Sequence, residues 1–315
     1  MPYANSQGLS QFDPGLSNLS QKYANDDTAF IHTKLPVISV AKESDKYYVF
    51  GRDHFRIPET VRADGAKANR VNYTLSTSSY ELEEHSLEEV VTDRQRANAD
   101  KSLQPDVDAT ENLTSRIMLK KELQAKNVIF TTTSFSNNHS LTSTLKWNVL
   151  TTLSDPIGDV ATATSVIMKN TGQKANTVIV GYDAWKGLTN HPNILERIKY
   201  SERGIITNEL IAAVFDVDNV QVGSAIYDTG IEGAAAPSTT YIWNSDAFIG
   251  YMEPRPKMKS ASALYQFVKS NYTGYPYSVR KYRDDEVKGD VIEVSTMHDS
   301  KAVASLSGYL VRGVS

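Results

Sequence analysis

The sequence predicts an α+β fold, and three observations carry that prediction. A long amphipathic helix is written into residues 106–127, and residues 155–215 alternate short helices with an apolar strand. On either side lie segments with the period of two that marks half-buried strands. The chain has 315 residues with 33 basic and 37 acidic side chains, a formal net charge of −4. That balance excludes a dedicated nucleic-acid binder, and no polybasic run marks a membrane surface. With no cysteine there are neither disulfides nor thiolate metal sites. The N-terminus "MPYANSQGLSQFDPG" lacks the charged and apolar regions of a secretory signal. No run approaches the length of an apolar membrane span. The expectation is a soluble protein made inside the cell.

Residues 1–45 are rich in Ser, Asn, Gln and Asp without a sustained period, which predicts an extended arm. From Lys46 to Leu82 the pattern is that of a long hairpin. "KYYVF" and "RVNYTL" read as its strands, with Val71, Tyr73 and Leu75 on one face, and Asp64–Gly65 as a turn. Two strands alone are marginal in water, so this hairpin is expected to rest on something else. "YELEEHSLEEVVTDRQRANAD" follows, acidic and predicted helical over Ser86–Ala97.

Pro105 is expected to break the chain before the long helix, with Asp106 or Asp108 as its cap and Lys120, Lys121 and Lys126 towards its end. The pairs Leu113–Ile117 and Leu119–Leu123 give it an apolar stripe. "DVATATSVIMKNTG" predicts a helix stopped by Gly172, and "NTVIVG" a buried strand. "DAWKGLTNH" is a helix capped by Asp183, and Pro192 opens "PNILERIKY". Thr207 caps "NELIAAVF". "NVQVG" and "YIWNSDAFIGYME" are predicted strands flanking a Gly/Ala-rich loop, and "ALYQFV", "DVIEVSTMH" and "GYLVRGV" are strands after Ala263. No internal repeat is visible.

Chemistry has little purchase on this sequence. The six histidines (His32, His54, His85, His139, His191, His298) never fall at metal-binding spacing. His85 among Glu81, Glu83, Glu84, Glu88 and Glu89 reads as a solvated acidic stretch or a contact between subunits. "NTVIVGYDAWKGL" is a strand–Gly–helix step without the glycine pattern or Gly-Lys-Ser that cradles phosphates. No Gly-Xaa-Ser-Xaa-Gly elbow anchors a hydrolase triad. Asp284–Asp285 reads as a polar turn between strands. The aromatic group Tyr272, Tyr275, Tyr277 and Tyr282 reads as packing and not as a base-stacking platform, and Trp185 and Trp243 as core residues. Catalytic, cofactor-binding and metal residues are therefore all expected to be none, and the protein is not expected to be an enzyme.

Order and wording together then carry a resemblance. "TVIVGYDAWKGLTNHPNILERIKYS", "ITNELIAAVFDVDNVQVGSAIY" and "YIWNSDAFIGYMEP" resemble the axial-domain segments of tailed-bacteriophage major capsid proteins. "VIEVSTMHDSKAVASLSGYLVRG" is similar to the last strands of their peripheral domain. Encapsulins and the herpesvirus capsid floor share that shell fold. The resemblance covers most of residues 46–315, and it implies a division of the chain. Residues 1–45 would be the N-terminal arm and 46–82 the extended loop lying over a neighbour. Residues 83–154 would be the first part of the peripheral domain, with a spine helix at 106–127. Residues 155–270 would form the axial domain and 271–315 the second part of the peripheral domain.

In this reading Trp185, Leu188, Ile194 and Ile198 pack two short helices on the strand Thr177–Val180 and stiffen a wedge that meets its copies around an axis. The implied function is a structural shell protein that assembles into pentamers and hexamers around phage DNA. Its partners would be itself, a portal protein, and separate scaffolding or decoration proteins, with double-stranded DNA touched only non-specifically and no membrane. Relatives often carry a scaffolding segment ahead of the arm, which is not seen before residue 1. The implied location is the virion, after synthesis in the bacterial cytoplasm. Alternatives are an encapsulin-like compartment with a cargo enzyme, and an α/β enzyme with a site around Asp183 and His191.

Overall fold

A computed structural model describes residues 29–99, 104–151, 153–199, 206–230, 238–256, 260–269 and 277–315. After a single 3-10 turn at His32–Lys34, the chain runs β1 (Val37–Val40), β2 (Ser44–Phe50), β3 (Leu75–Glu81) and β4 (Glu83–Thr92). Helices α1 (Asp93–Asn98) and α2 (Pro105–Ile129) follow, then β5 (Asn137–Ser140), α3 (Pro156–Thr171) and β6 (Thr177–Gly181). Next come α4 (Tyr182–Thr189), α5 (Pro192–Ile198), α6 (Asn208–Phe215), β7 (Asn219–Gly223), β8 (Ile226–Asp228) and β9 (Thr239–Tyr241). The chain closes with β10 (Ala247–Gly250), β11 (Leu264–Lys269), β12 (Ser278–Asp284), β13 (Gly289–Ala302) and β14 (Gly308–Arg312).

Two sheets organise these elements. In the first, β13 pairs antiparallel with β11 and β12 on one side and with β4 on the other, and β1 runs parallel to β11. Helix α2 lies across it, burying Leu113, Ile117, Met118 and Ile129 against Ile292 and Val294. Each such side chain contributes roughly 1.5–3 kcal/mol on leaving water. The second sheet has the order β5-β14-β10-β6-β7. Strand β6, between β10 and β7, is buried from end to end, which is why its sequence reads as one apolar run. Helices α3 to α6 supply Val160, Ile167, Leu188, Ile194, Ile211 and Phe215 to its core.

The helix punctuation is largely as expected. Pro192 occupies the first turn of α5, Thr207 Oγ1 accepts from the Leu210 amide at 3.3 Å, and Gly172 ends α3 with φ +71°. Pro105 does not break the chain ahead of α2 but begins the helix, where its missing N–H goes unmissed. Neither Asp106 nor Asp108 caps α2, and Gly181, not Asp183, stands at the N-cap of α4.

Other expectations are corrected. Ser86–Ala97 is not a helix. Residues 83–92 form β4, because ten-residue pairing with β13 outweighs the helical preference of glutamates, setting Leu87 opposite Val294. The chain turns helical only after Thr92, whose hydroxyl and amide form a capping box with Gln95. "RVNYTL" becomes strand only at Leu75, where pairing with β2 begins. "YIWNSDAFIGYME" is split into β9 and β10, with Trp243 buried in the bend between them. Trp185 is half-buried at the edge of the second core, while Leu188, Ile194 and Ile198 are buried as expected. Sheet membership also crosses the expected domain limits. Strand β11 lies before residue 270 yet belongs to the first sheet, and β14 lies beyond 271 yet pairs with β10 in the second. A strand's sequence states its period and not its partner.

Two cross-strand glycine pairs leave room for aromatic side chains against the second sheet. Gly181 faces Gly223, and a Cβ at Gly223 would fall 2.2 Å from Trp243 Cδ1. Gly250 faces Gly308, where Phe248 and Phe135 occupy the space with their centroids 4.9 Å apart.

Candidate assembly surface

The residues weighed for chemistry are not brought together. His191 is fully buried and caps α5, its Nδ1 accepting from the Asn193 amide at 3.3 Å, while Asp183 is exposed in the first turn of α4. Asp284 accepts from the Glu286 amide at 2.9 Å, and Asp285 faces Arg283 at 3.3 Å, so the pair forms the turn between β12 and β13. Tyr277 is buried in the first core, and Tyr282 packs under Arg280 at 4.8 Å; Tyr272 and Tyr275 lie outside the described residues. Among the described residues no group of three His, Asp or Glu side chains could hold a metal, and no helix is long and apolar enough to cross a membrane. A groove of 670 Å³ between the end of β4 and the start of α2 is lined by Glu89, Arg94, Asn98, Asp108 and Asn112.

What the fold builds instead is a projecting loop on a braced platform. Strands β2 and β3 form a separate ribbon, and residues 51–74 extend from its far end. Asp53 closes the base of the loop: its carboxylate accepts from the Thr74 amide at 2.7 Å and from the Thr74 hydroxyl, which holds the carboxyl below the ordinary aspartate value. Asn69 bridges to the Glu59 carbonyl at 2.9 Å, and Asp64–Gly65 makes the expected turn with Gly65 at φ +74°. Beyond this base the apolar side chains face water, with Ile57 96% and Val61 80% exposed. Such a stripe on a loop with no core of its own is a contact surface.

The platform is held by two polar devices that no local pattern in the sequence marks. On α2 the buried Glu122 accepts from the Ile31 amide, the His32 amide and His32 Nδ1 at 2.8, 2.8 and 2.7 Å, and from Trp243 Nε1. One carboxylate thus ties the end of the arm, the long helix and the bend before β10, and the Phe130 ring meets Trp243 edge-on. Near the start of α2, Asp106 takes Arg96 at 2.8 Å and Lys281 at 2.7 Å. Burial pushes the Asp106 carboxyl up, but Lys281 and Arg96 outweigh it and hold it below the usual value. Arg283 clasps Asp93 through two contacts of 2.6 and 2.7 Å, and Asp290 joins Arg96 at 2.7 Å.

A third group sits where β4, β13 and α2 meet. Gln124 donates to His85 Nε2 at 3.1 Å and accepts from His298 Nε2 at 2.7 Å, with the two rings 4.8 Å apart. Burial, and then the neighbouring Lys121, His85 and His32, push His298 down to about 3. No local signal marks these groups: in "LKKELQAK" the lysine and glutamate read as a solvated helix face, and their partners lie far along the chain.

A family model described as phage major capsid protein E matches residues 50–297. The major capsid protein of Burkholderia phage BcepMu is 29% identical over 313 residues, covering 96% of each chain. Among solved structures, a phage-related protein from Bordetella bronchiseptica RB50 superposes with a TM-score of 0.75 at 25% identity, covering 96% of this chain and 97% of that one. The capsid structure of cyanophage P-SCSP1u gives a TM-score of 0.62 at 8% identity, over 99% and 92% of the two chains, a likeness of fold alone.

Proposed function

Because the chain belongs to the phage major capsid protein E family, we infer how its parts build the head shell. The protein is a structural component of the virion and associates with copies of itself. In our reading it forms the pentamers and hexamers of an icosahedral head enclosing double-stranded DNA. The observation that carries this is the reach of the family match, which runs from the end of β2 through most of β13.

The parts then take roles. The second sheet with α3 to α6 is the axial wedge, and the first sheet with α2 as spine is the peripheral unit. Residues 46–82 are the extended loop over a neighbour. Of the expected arm 1–45, residues 29–45 instead pack on their own subunit, with β1 beside β11 and Ile31 and His32 held by Glu122, and residues 1–28 lie outside the described residues. The exposed apolar side chains of residues 51–74 support the loop's role, while Tyr80 and Leu82 at the foot of the ribbon pack on Tyr265 and Phe267. The shell lines its DNA without reading it, in keeping with the net charge of −4. A portal protein, and separate scaffolding or decoration proteins, complete the head, which is made in the host cytoplasm without membrane contact and without catalysis by this chain.

Expression of the chain followed by negative-stain microscopy and size-exclusion chromatography tests the reading. Closed shells, hexamers or pentamers are expected. A monomer that persists at high concentration under all conditions would sink it. Deleting Arg52–Asn69 should leave the subunit folded, by circular dichroism, yet stop shell closure.

A further inference from the structure

Residues 70–75, "RVNYTL", have the sequence of a strand, yet only Leu75 has the structure of one. Val71, Tyr73 and Leu75 alternate with Arg70, Asn72 and Thr74, yet the backbone of 70–74 belongs to no strand and Val71 is 68% exposed. The complementary feature is β4. It pairs with β13 along its whole length and, among the described residues, with nothing on its other edge. A ten-residue edge of main-chain donors and acceptors is a template for another strand.

Charge decides which strand it accepts. Strand β4 carries Glu83, Glu84, Glu88 and Glu89 and neither lysine nor arginine. Two β4 edges would set glutamate against glutamate, which disfavours pairing of like edges. The loop is basic by contrast, with Arg52, Arg56, Arg62, Lys67 and Arg70 against Asp53, Glu59 and Asp64. Leu87, exposed on β4, offers an apolar contact to Val71. The loop cannot fold back onto its own β4. The seven residues of β3, held straight by β2, place roughly 23 Å of strand between Thr74 and the start of β4.

We propose that residues Arg70–Thr74 of one copy add as a strand to the β4 edge of a second copy, with the loop's arginines facing the β4 glutamates. This rests on the shell reading above and names the surface on which the extended loop lies.

The absence of cysteine makes a direct test possible. Val71→Cys and Leu87→Cys are introduced together, assembled particles are treated with a flexible bis-maleimide, and the products are run on a denaturing gel. A ladder of covalent oligomers from the double variant, with monomer from each single variant, is expected. Particles of the double variant that run as monomer would overturn the proposal while leaving the shell reading intact. Failure of the cysteine-free parent to form any particle would instead overturn the shell reading, and this proposal with it. A second arm uses Arg62→Glu with Arg70→Glu, both on exposed loop, so folding is not at stake. Particle yield at low salt should fall about tenfold and recover when Glu84→Lys and Glu88→Lys are added. Unchanged yield from the loop variant would likewise count as refutation.

Discussion

Replacing Lys121 with methionine should stabilise the subunit at neutral pH. Lys121 projects from α2 into the first core and is only 5% exposed. Its Nζ lies 6.0 Å from the centre of the Tyr277 ring and has no hydrogen-bond acceptor among the described residues. Burial pushes the ammonium down from 10.5 to about 8. A fall of that size corresponds to about 3 kcal/mol, because the unfolded chain holds the proton more tightly than the folded one. The ring face returns about 1 kcal/mol, so methionine, of similar length and apolar throughout, should gain about 2 kcal/mol, or about 4 °C in melting temperature. The sign depends on pH. The cost of the lysine is complete below about 8, shrinks as pH rises, and vanishes above 10.5, where both states hold neutral amine. Urea unfolding of unassembled subunits at pH 7 and pH 11 measures this. Equal stability of the two proteins at pH 7, or a gain that persists undiminished at pH 11, would refute the argument.

Glu122→Gln should cost about 3 kcal/mol, since an amide nitrogen would meet the His32 amide as donor against donor. The check is the melting temperature together with faster amide exchange at Ile31 and His32. His298, held neutral by burial, contributes stability that is complete above pH 6.5 and is lost as pH falls towards 3. His298→Gln should therefore flatten the fall in melting temperature between pH 7 and 4.5, and parallel curves would contradict the burial of that ring. Mature particles of the native chain boiled in detergent should run as monomers. Lys46 and Lys67 stand on the exposed ribbon and loop without the burial that would free an amine to attack an asparagine. A covalent ladder would make one of them reactive.

The elements that could be read from sequence were those whose cause is local. Proline at the start of α5, glycine at the end of α3 and threonine before α6 state their positions within a few residues. Strand β6 declares its burial by an unbroken apolar run. The long helix and the order of elements were legible enough to carry the family resemblance. Strand β4 was not, because its glutamates favour a helix until β13, some two hundred residues on, supplies a partner. Strand β5, "NNHS", has no apolar residue at all and exists by pairing with β14. The Glu122 and Asp106 clusters were hidden for the same reason: a carboxylate on a helix looks solvated until residues 90 or 175 positions away close over it. The loop's lack of a core is legible from its composition, but strand-forming residues begin several positions before β3 does, because at Val71 and Tyr73 they have no partner strand.

The packing of Trp243 on Gly181 and Gly223, its backbone on the first and its ring on the second, bears on how this lineage can vary. An alanine at Gly223 would put a methyl carbon 2.2 Å from the indole, and one at Gly181 would press on the carbonyls of Trp243 and Asn244. Gly223 therefore cannot change alone without displacing the indole, nor Gly181 without moving the backbone at Trp243, and loss of the indole would strip Glu122 of a donor while leaving a void over the sheet. The three positions form a ratchet in sequence space, passable only by changes that arrive together. Related shells should accordingly either keep all three residues or have replaced them as a set, with drift concentrated on the loop and on the outward faces of the helices.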